Sequence, residues 1–141
     1  MAKTRPHVFR LTLSSDPKNV RKVEQFLRRI NRHRPLDEIQ FHKLMVSLTE
    51  AVNNAIVHGN KADPTKTVEV RCELLDSVVQ ITVKDQGDGF RPETVDNPLK
   101  EENLLRESGR GIFLMRTLMD RVEFDRTDEG MELELWLDLK K

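Results

Sequence analysis

Val68-Glu69-Val70-Arg71-Cys72-Glu73-Leu74, a turn at Asp76-Ser77, then Val79-Gln80-Ile81-Thr82-Val83: apolar and polar residues alternate on both sides of a short break. Successive side chains of a strand point to opposite faces, so the stretch predicts a hairpin with one buried face and one wet face. Such a sheet needs covering on one side only. Farther out, Met131, Leu133, Leu135, Leu137 and Leu139 alternate with Glu132, Glu134, Trp136 and Asp138 in a final strand, and His7 to Leu13 alternates around Phe9, Leu11 and Leu13. Helical spacing lies between the strands. Asp16-Pro17 offers an N-cap followed by proline, ahead of a stripe made by Val20, Val23, Leu27 and Ile30. Pro35 to His58 reads as a longer helix with Leu44, Leu48, Val52 and Ala55 inward and Gly59-Asn60 as its stop. Gly111 to Asp120 reads as a third, with Ile112, Met115 and Met119 inward. No regular strand-helix-strand rhythm runs through the chain. The expected fold is α+β: a two-layer sandwich whose mixed, mostly antiparallel sheet is covered on one face by helices.

The 141 residues suit a single domain spanning 1–141, with a flexible arm at about 1–6. Lys+Arg and Asp+Glu balance at 24 each, so a global field that would draw in nucleic acid is absent. One cysteine, Cys72, precludes an internal disulfide framework. No apolar run approaches the roughly 20 residues needed to span a bilayer. Met1 to Pro6 has no apolar segment behind it of the kind a secretory signal carries. These features lead to the expectation of a cytoplasmic protein with neither a membrane nor a nucleic-acid partner.

Three short segments carry chemistry. Glu50 and Asn54 are four apart, so with Ser47 below and His58 above they form one row on the helix, roughly opposite Leu48 and Val52. An acid and an amide are hard oxygen donors that suit Mg²⁺. Glu50 is equally placed to take a proton from a hydroxyl or a water. A solvated helix face has the same composition, and on this segment alone all three readings stand. Asp85-Gln86-Gly87-Asp88-Gly89 follows the second strand of the hairpin. A carboxylate there can accept from an exocyclic amine such as that of adenine, and glycines permit close approach of the backbone. An ordinary Gly-rich turn is the alternative. The acid spacing does not match a calcium loop. Gly109-Arg110-Gly111 leads into the third helix, where free N–H groups and the helix dipole favour phosphate and Arg110 adds a cation. A flexible joint would need the same glycines. A Walker A motif is absent.

In order and spacing, Glu50-x-x-x-Asn54, Asp85-x-Gly87-x-Gly89 and Gly109-x-Gly111 resemble the N, G1 and G2 boxes of the GHKL ATPase superfamily. Thr49-Glu50-Ala51-Val52-Asn53-Asn54-Ala55-Ile56-Val57-His58-Gly59-Asn60 and Glu107-Ser108-Gly109-Arg110-Gly111-Ile112-Phe113-Leu114-Met115 are most similar to bacterial anti-sigma-factor serine kinases. The resemblance implies a GHKL ATPase fold, with ATP and Mg²⁺ as ligands. Asn54 would ligate the Mg²⁺ and Glu50 would be the general base. Asp85 would bond the adenine amino group, and Gly87 and Gly89 would shape the pocket. Gly109, Arg110 and Gly111 would line the phosphates beneath an ATP lid at about 97–108, inside the long polar loop from Arg91 to Ser108. The implied activity is ATP-dependent phosphorylation of a serine on a small anti-sigma-factor antagonist, together with sequestration of a sigma factor, often as a homodimer. The alternative is a non-catalytic, nucleotide-dependent binding module in another partner-switching pathway.

Three further residues or clusters have structural explanations. His58 suits a helix-end hydrogen-bonder, Cys72 a core thiol, and the basic cluster Arg28 to Arg34 a solvated helix end. Trp136 projects from the polar side of the last strand.

Overall fold

The computed structural model describes residues 6–87 and 109–140. Gly89, the loop from Arg91 to Ser108 with its lid at about 97–108, and residues 1–5 of the arm lie outside the described residues. The strands are β1 (His7–Ser14), β2 (Thr67–Leu74), β3 (Val78–Lys84), β4 (Arg121–Thr127) and β5 (Gly130–Asp138). The helices are α1 (Lys22–His33), α2 (Glu38–Asn54) and α3 (Gly109–Leu118).

The sheet order is β1-β2-β3-β5-β4, and every neighbouring pair is antiparallel. The mostly antiparallel sheet expected from the sequence is antiparallel at every pair among the described residues. Two helices separate β1 from β2, so the chain comes back running the opposite way. The β4–β5 hairpin then inserts β5 between β3 and β4, leaving β4 on the edge. Sequence reading missed β4, because only Val122 and Phe124 mark its inner side and both remain half-buried.

The dry face of the sheet packs under the helices. Leu13, Val68, Cys72, Ile81 and Leu135 are all at most 1% exposed. From the helical layer Leu27, Ile30, Leu44, Leu48, Val52 and Met115 close over them. Burying one such leucine is worth about 2 kcal/mol. Cys72 lies within this core, and burial pushes its thiol up to about 12. The other face carries charge: one cross-strand row reads Arg10, Arg71, Thr82, Glu134, Glu123. Trp136 stands on that face, half-buried, with the Arg121 guanidinium 5.5 Å above its ring.

Helix boundaries follow local chemistry. Asp16 caps a 3-10 turn (Pro17–Arg21) by accepting from Lys18 N–H at 3.0 Å, and α1 continues from it. Part of the basic cluster has partners within the fold: Arg28 pairs with Glu24 at 3.2 Å, and Arg29 lies over Phe9 and Phe26. Helix α2 begins at Glu38 rather than at Pro35. Asp37 and Gln40 form a capping box, with Gln40 N–H donating to Asp37 at 2.7 Å and Asp37 N–H donating to Gln40 at 3.1 Å. Pro35 disfavours helical backbone in the residue before it, and Asp37 satisfies the first free N–H groups, so the helix starts there.

The end of α2 departs further from expectation. Regular α-helix stops at Asn54, and Ala55–Gly59 form a π turn closed by Asn60 N–H to the Ala55 carbonyl at 2.8 Å. Asn60 itself has φ −89°, and the left-handed residues that end the helix are the next two, Lys61 (φ 54°) and Ala62 (φ 56°), so the reversal falls just after the Gly59-Asn60 stop. Gly59 is needed for a different reason, described below.

Candidate active site

The Glu50–Asn54 row faces α3 and the cavity beside it. Ser47 is fully buried, while Glu50 and Asn54 are half-buried. The row is therefore not a solvated face opposite the buried stripe, because α3 packs onto it. Gly111 lies against Glu50: a Cβ there would stand 2.5 Å from Glu50 Oε2. Gly109, Arg110 and Gly111 are not a turn ahead of the helix but its first residues. They open the described part of α3, and Arg110 is exposed. His58 lies within the π turn, which widens the helix by one residue and breaks the four-residue row above Asn54. It is exposed but still borders the cavity. Among the described residues, no group of three or more His, Cys, Asp or Glu could hold a metal ion.

A cavity of about 80 Å³ lies between the end of α2, the sheet and α3. Ala51, Ala55, Val83, Ile112, Phe124, Met131 and Leu133 give it apolar walls, and Asn54, His58, Gly59 and Asp85 complete its lining. Asp85 is 8% exposed. Its Oδ1 accepts from Gly87 N–H at 3.0 Å and from Met131 N–H at 3.2 Å, and its own N–H donates to the Met131 carbonyl at 3.0 Å. Burial raises the carboxyl pKa above its ordinary value. The two N–H donors and the charges of Lys66 and Arg126 act in the opposite direction.

Main chain closes the wall around Asp85. A Cβ at Gly59 would lie 2.2 Å from Asp85 Oδ2, and one at Gly87 would lie 1.6 Å from the Gly59 carbonyl oxygen. Both positions require glycine for close approach. An apolar slot with one oriented carboxylate suits a flat heterocycle that carries an exocyclic amine. The structure thus brings Asn54 and Asp85 to one cavity, with Gly87 N–H bonded to Asp85, and sets Glu50 against Gly111 in the helix that also carries Gly109 and Arg110. Sequence reasoning missed the walls supplied by Phe124, Met131 and Leu133. The alternation at Val122 and Phe124, followed by Asp128-Glu129-Gly130, was the signal for the element that brings Phe124 in.

Residues 13–137 match the family described as the histidine kinase-like ATPase domain, and the chain belongs to that family. Within it, the chain is 34% identical over 112 residues to the serine-protein kinase RsbW of Staphylococcus aureus, a match covering 74% of this chain and 69% of the relative. The fold is also similar to a structure of RsbU and RsbW domains from Mycobacterium tuberculosis, with TM-score 0.70 and 19% identity. That match covers 94% of this chain, which spans 32% of the chain it resembles. A histidine kinase domain of a blue-light-activated kinase from Erythrobacter litoralis gives TM-score 0.59 at 16% identity, covering 91% of this chain and 62% of the other. At these identities the two structures support the antiparallel α+β fold alone.

Proposed function

We propose that the protein is an ATP-dependent serine kinase acting as an anti-sigma regulatory factor, which phosphorylates a small antagonist protein and sequesters a sigma factor. The observation that carries the kinase reading is the packing of Gly111 against Glu50, which sets an acid between the cavity and the first turn of α3. A domain that only held nucleotide would have no use for a carboxylate there. Similarity to a serine-protein kinase over most of the chain supports the same reading.

In this reading the adenine enters the apolar slot and its amine donates to Asp85. The phosphates run toward the N-terminus of α3, where Gly109, Arg110 and Gly111 supply N–H groups and a cation. Asn54 fits a hard cation through its amide oxygen, and bound Mg²⁺ would supply charge neutralisation at the phosphates. Glu50 takes the proton of the substrate serine as its oxygen attacks the γ-phosphorus. The bond from that phosphorus to the bridging oxygen breaks, and ADP leaves. No helix among the described residues is long and apolar enough to cross a membrane. A cytoplasmic homodimer forming one domain over 1–141 completes the proposal.

The test is transfer of γ-phosphate to an antagonist domain encoded beside this chain. Wild type should transfer, and Glu50→Ala should lose at least about 100-fold in rate, the scale of general-base catalysis, while still binding ADP. Equal transfer by Glu50→Ala refutes the base. Unchanged Mg-ATP affinity in Asn54→Ala refutes the metal ligand.

A further inference from the structure

We propose that Asn60 is a positioning residue for recognition of the nucleobase: its buried amide fixes the main chain at Gln86 and so holds Asp85 and Gly87 in place at the cavity. The proposal rests on the reading of that cavity as an adenine site.

Asn60 is 0% exposed and makes hydrogen bonds with both ends of its amide. Its Oδ1 accepts from Gln86 N–H at 2.7 Å. Its Nδ2 donates to Ser15 Oγ at 2.7 Å and to the Thr67 carbonyl at 3.0 Å. The orientation of the amide is determined by these partners. Turned over, it would set a donor against the Gln86 N–H and an acceptor against the Thr67 carbonyl. Ser15 Oγ in turn donates to the Lys66 carbonyl at 2.8 Å, so it is free to accept from Asn60. One side chain therefore joins the end of β1, the end of the π turn, the start of β2 and the loop after β3.

The residue that this network holds lies between Asp85 and Gly87. Gln86 is clamped twice, since its Oε1 also accepts from Thr67 N–H at 2.7 Å. Removing the Asn60 amide leaves the Gln86 N–H without its acceptor in a part-buried setting. The loop would then be held at Asp85 N–H, through the Asp85 side chain and through the Gln86 side chain, with the main chain at Gln86 no longer fixed, and the carboxylate would be free to turn away from the cavity. The apolar walls would remain, so a base would still bind, but discrimination by its amine would be lost.

The test compares ADP with inosine diphosphate, which lacks the exocyclic amine, by calorimetry on the full chain at a temperature where circular dichroism shows it folded. Wild type should prefer ADP roughly tenfold or more, the scale of a hydrogen bond to a charged acceptor, and Asn60→Ala should bind the two within about threefold of each other. Ser15→Ala, which keeps the bond to Gln86, should melt at a lower temperature yet retain the preference. If Asn60→Ala is folded and keeps the preference, the proposal fails while the adenine reading stands. If wild type shows no preference, the adenine reading fails and takes the proposal with it. Should Asn60→Ala not fold, amide exchange in wild type decides. Strong protection of the Gln86 N–H without nucleotide supports the clamp, and exchange at the rate of an open loop overturns it.

Discussion

Asp85 is buried at the cavity, and burial raises the pKa of its carboxyl above the ordinary value. The folded state therefore binds this proton more readily than the unfolded chain does. Between the ordinary and the raised value, stability contributed by Asp85 increases as pH falls, because the cost of a buried charge disappears. An ionised carboxylate accepts from an adenine amine more strongly than the neutral acid does, so ADP affinity should fall over the same window. Calorimetric titration and thermal melts of the free protein across mildly acidic pH should move in opposite directions; affinity flat throughout this range would show that Asp85 does not contact the base. Gly87→Ala should destabilise by about 3 kcal/mol, measured by urea unfolding, because its Cβ meets a main-chain oxygen that has no rotamer to change. At this scale Asp85 and the glycines were legible in sequence, since an acid followed by closely spaced glycines is a local pattern. Asn60 was not, because its decisive partners lie 26 and 45 residues away.

Local chemistry accounts for most element boundaries, and its failures are specific. Asp37→Ala should cost about 1 kcal/mol, read by chemical denaturation, with ADP affinity unchanged because the cap lies at the far end of α2 from Glu50. The helical period over Leu44, Leu48 and Val52 was readable, whereas the π turn at Ala55–Gly59 was not. Its cause is tertiary: the helix end must accommodate Asp85 against Gly59 and Gly87 against the Gly59 carbonyl. Strand β4 went unrecognised because an edge strand with a half-buried inner side needs few apolar residues. Its neighbour β5, with Met131, Leu133, Leu135 and Leu137 in strict alternation, was plain.

Among the described residues, one core joins the dry face of the sheet to α1, α2 and α3. Cys72 reports on it. With its thiol pushed up to about 12 and its side chain fully buried, it should resist thiol reagents in the native protein and react only as fast as the chain unfolds. Leu135→Ala, at the centre of the sheet, should cost about 3 kcal/mol and lower the urea midpoint accordingly. The α+β class and the one-sided covering followed from alternation. The strand order did not, because pairing β5 with β3 requires the chain to pass through α3 and β4 first. The contact between Gly59 and Gly87 has a bearing on how relatives of this chain could diverge. One wall of the slot is peptide backbone, and backbone offers mutation nothing to exchange. If the slot holds a base, a lineage that came to favour another one would have to resculpt it from Ile112, Phe124, Met131 and the acid itself, with those two glycines left as they are.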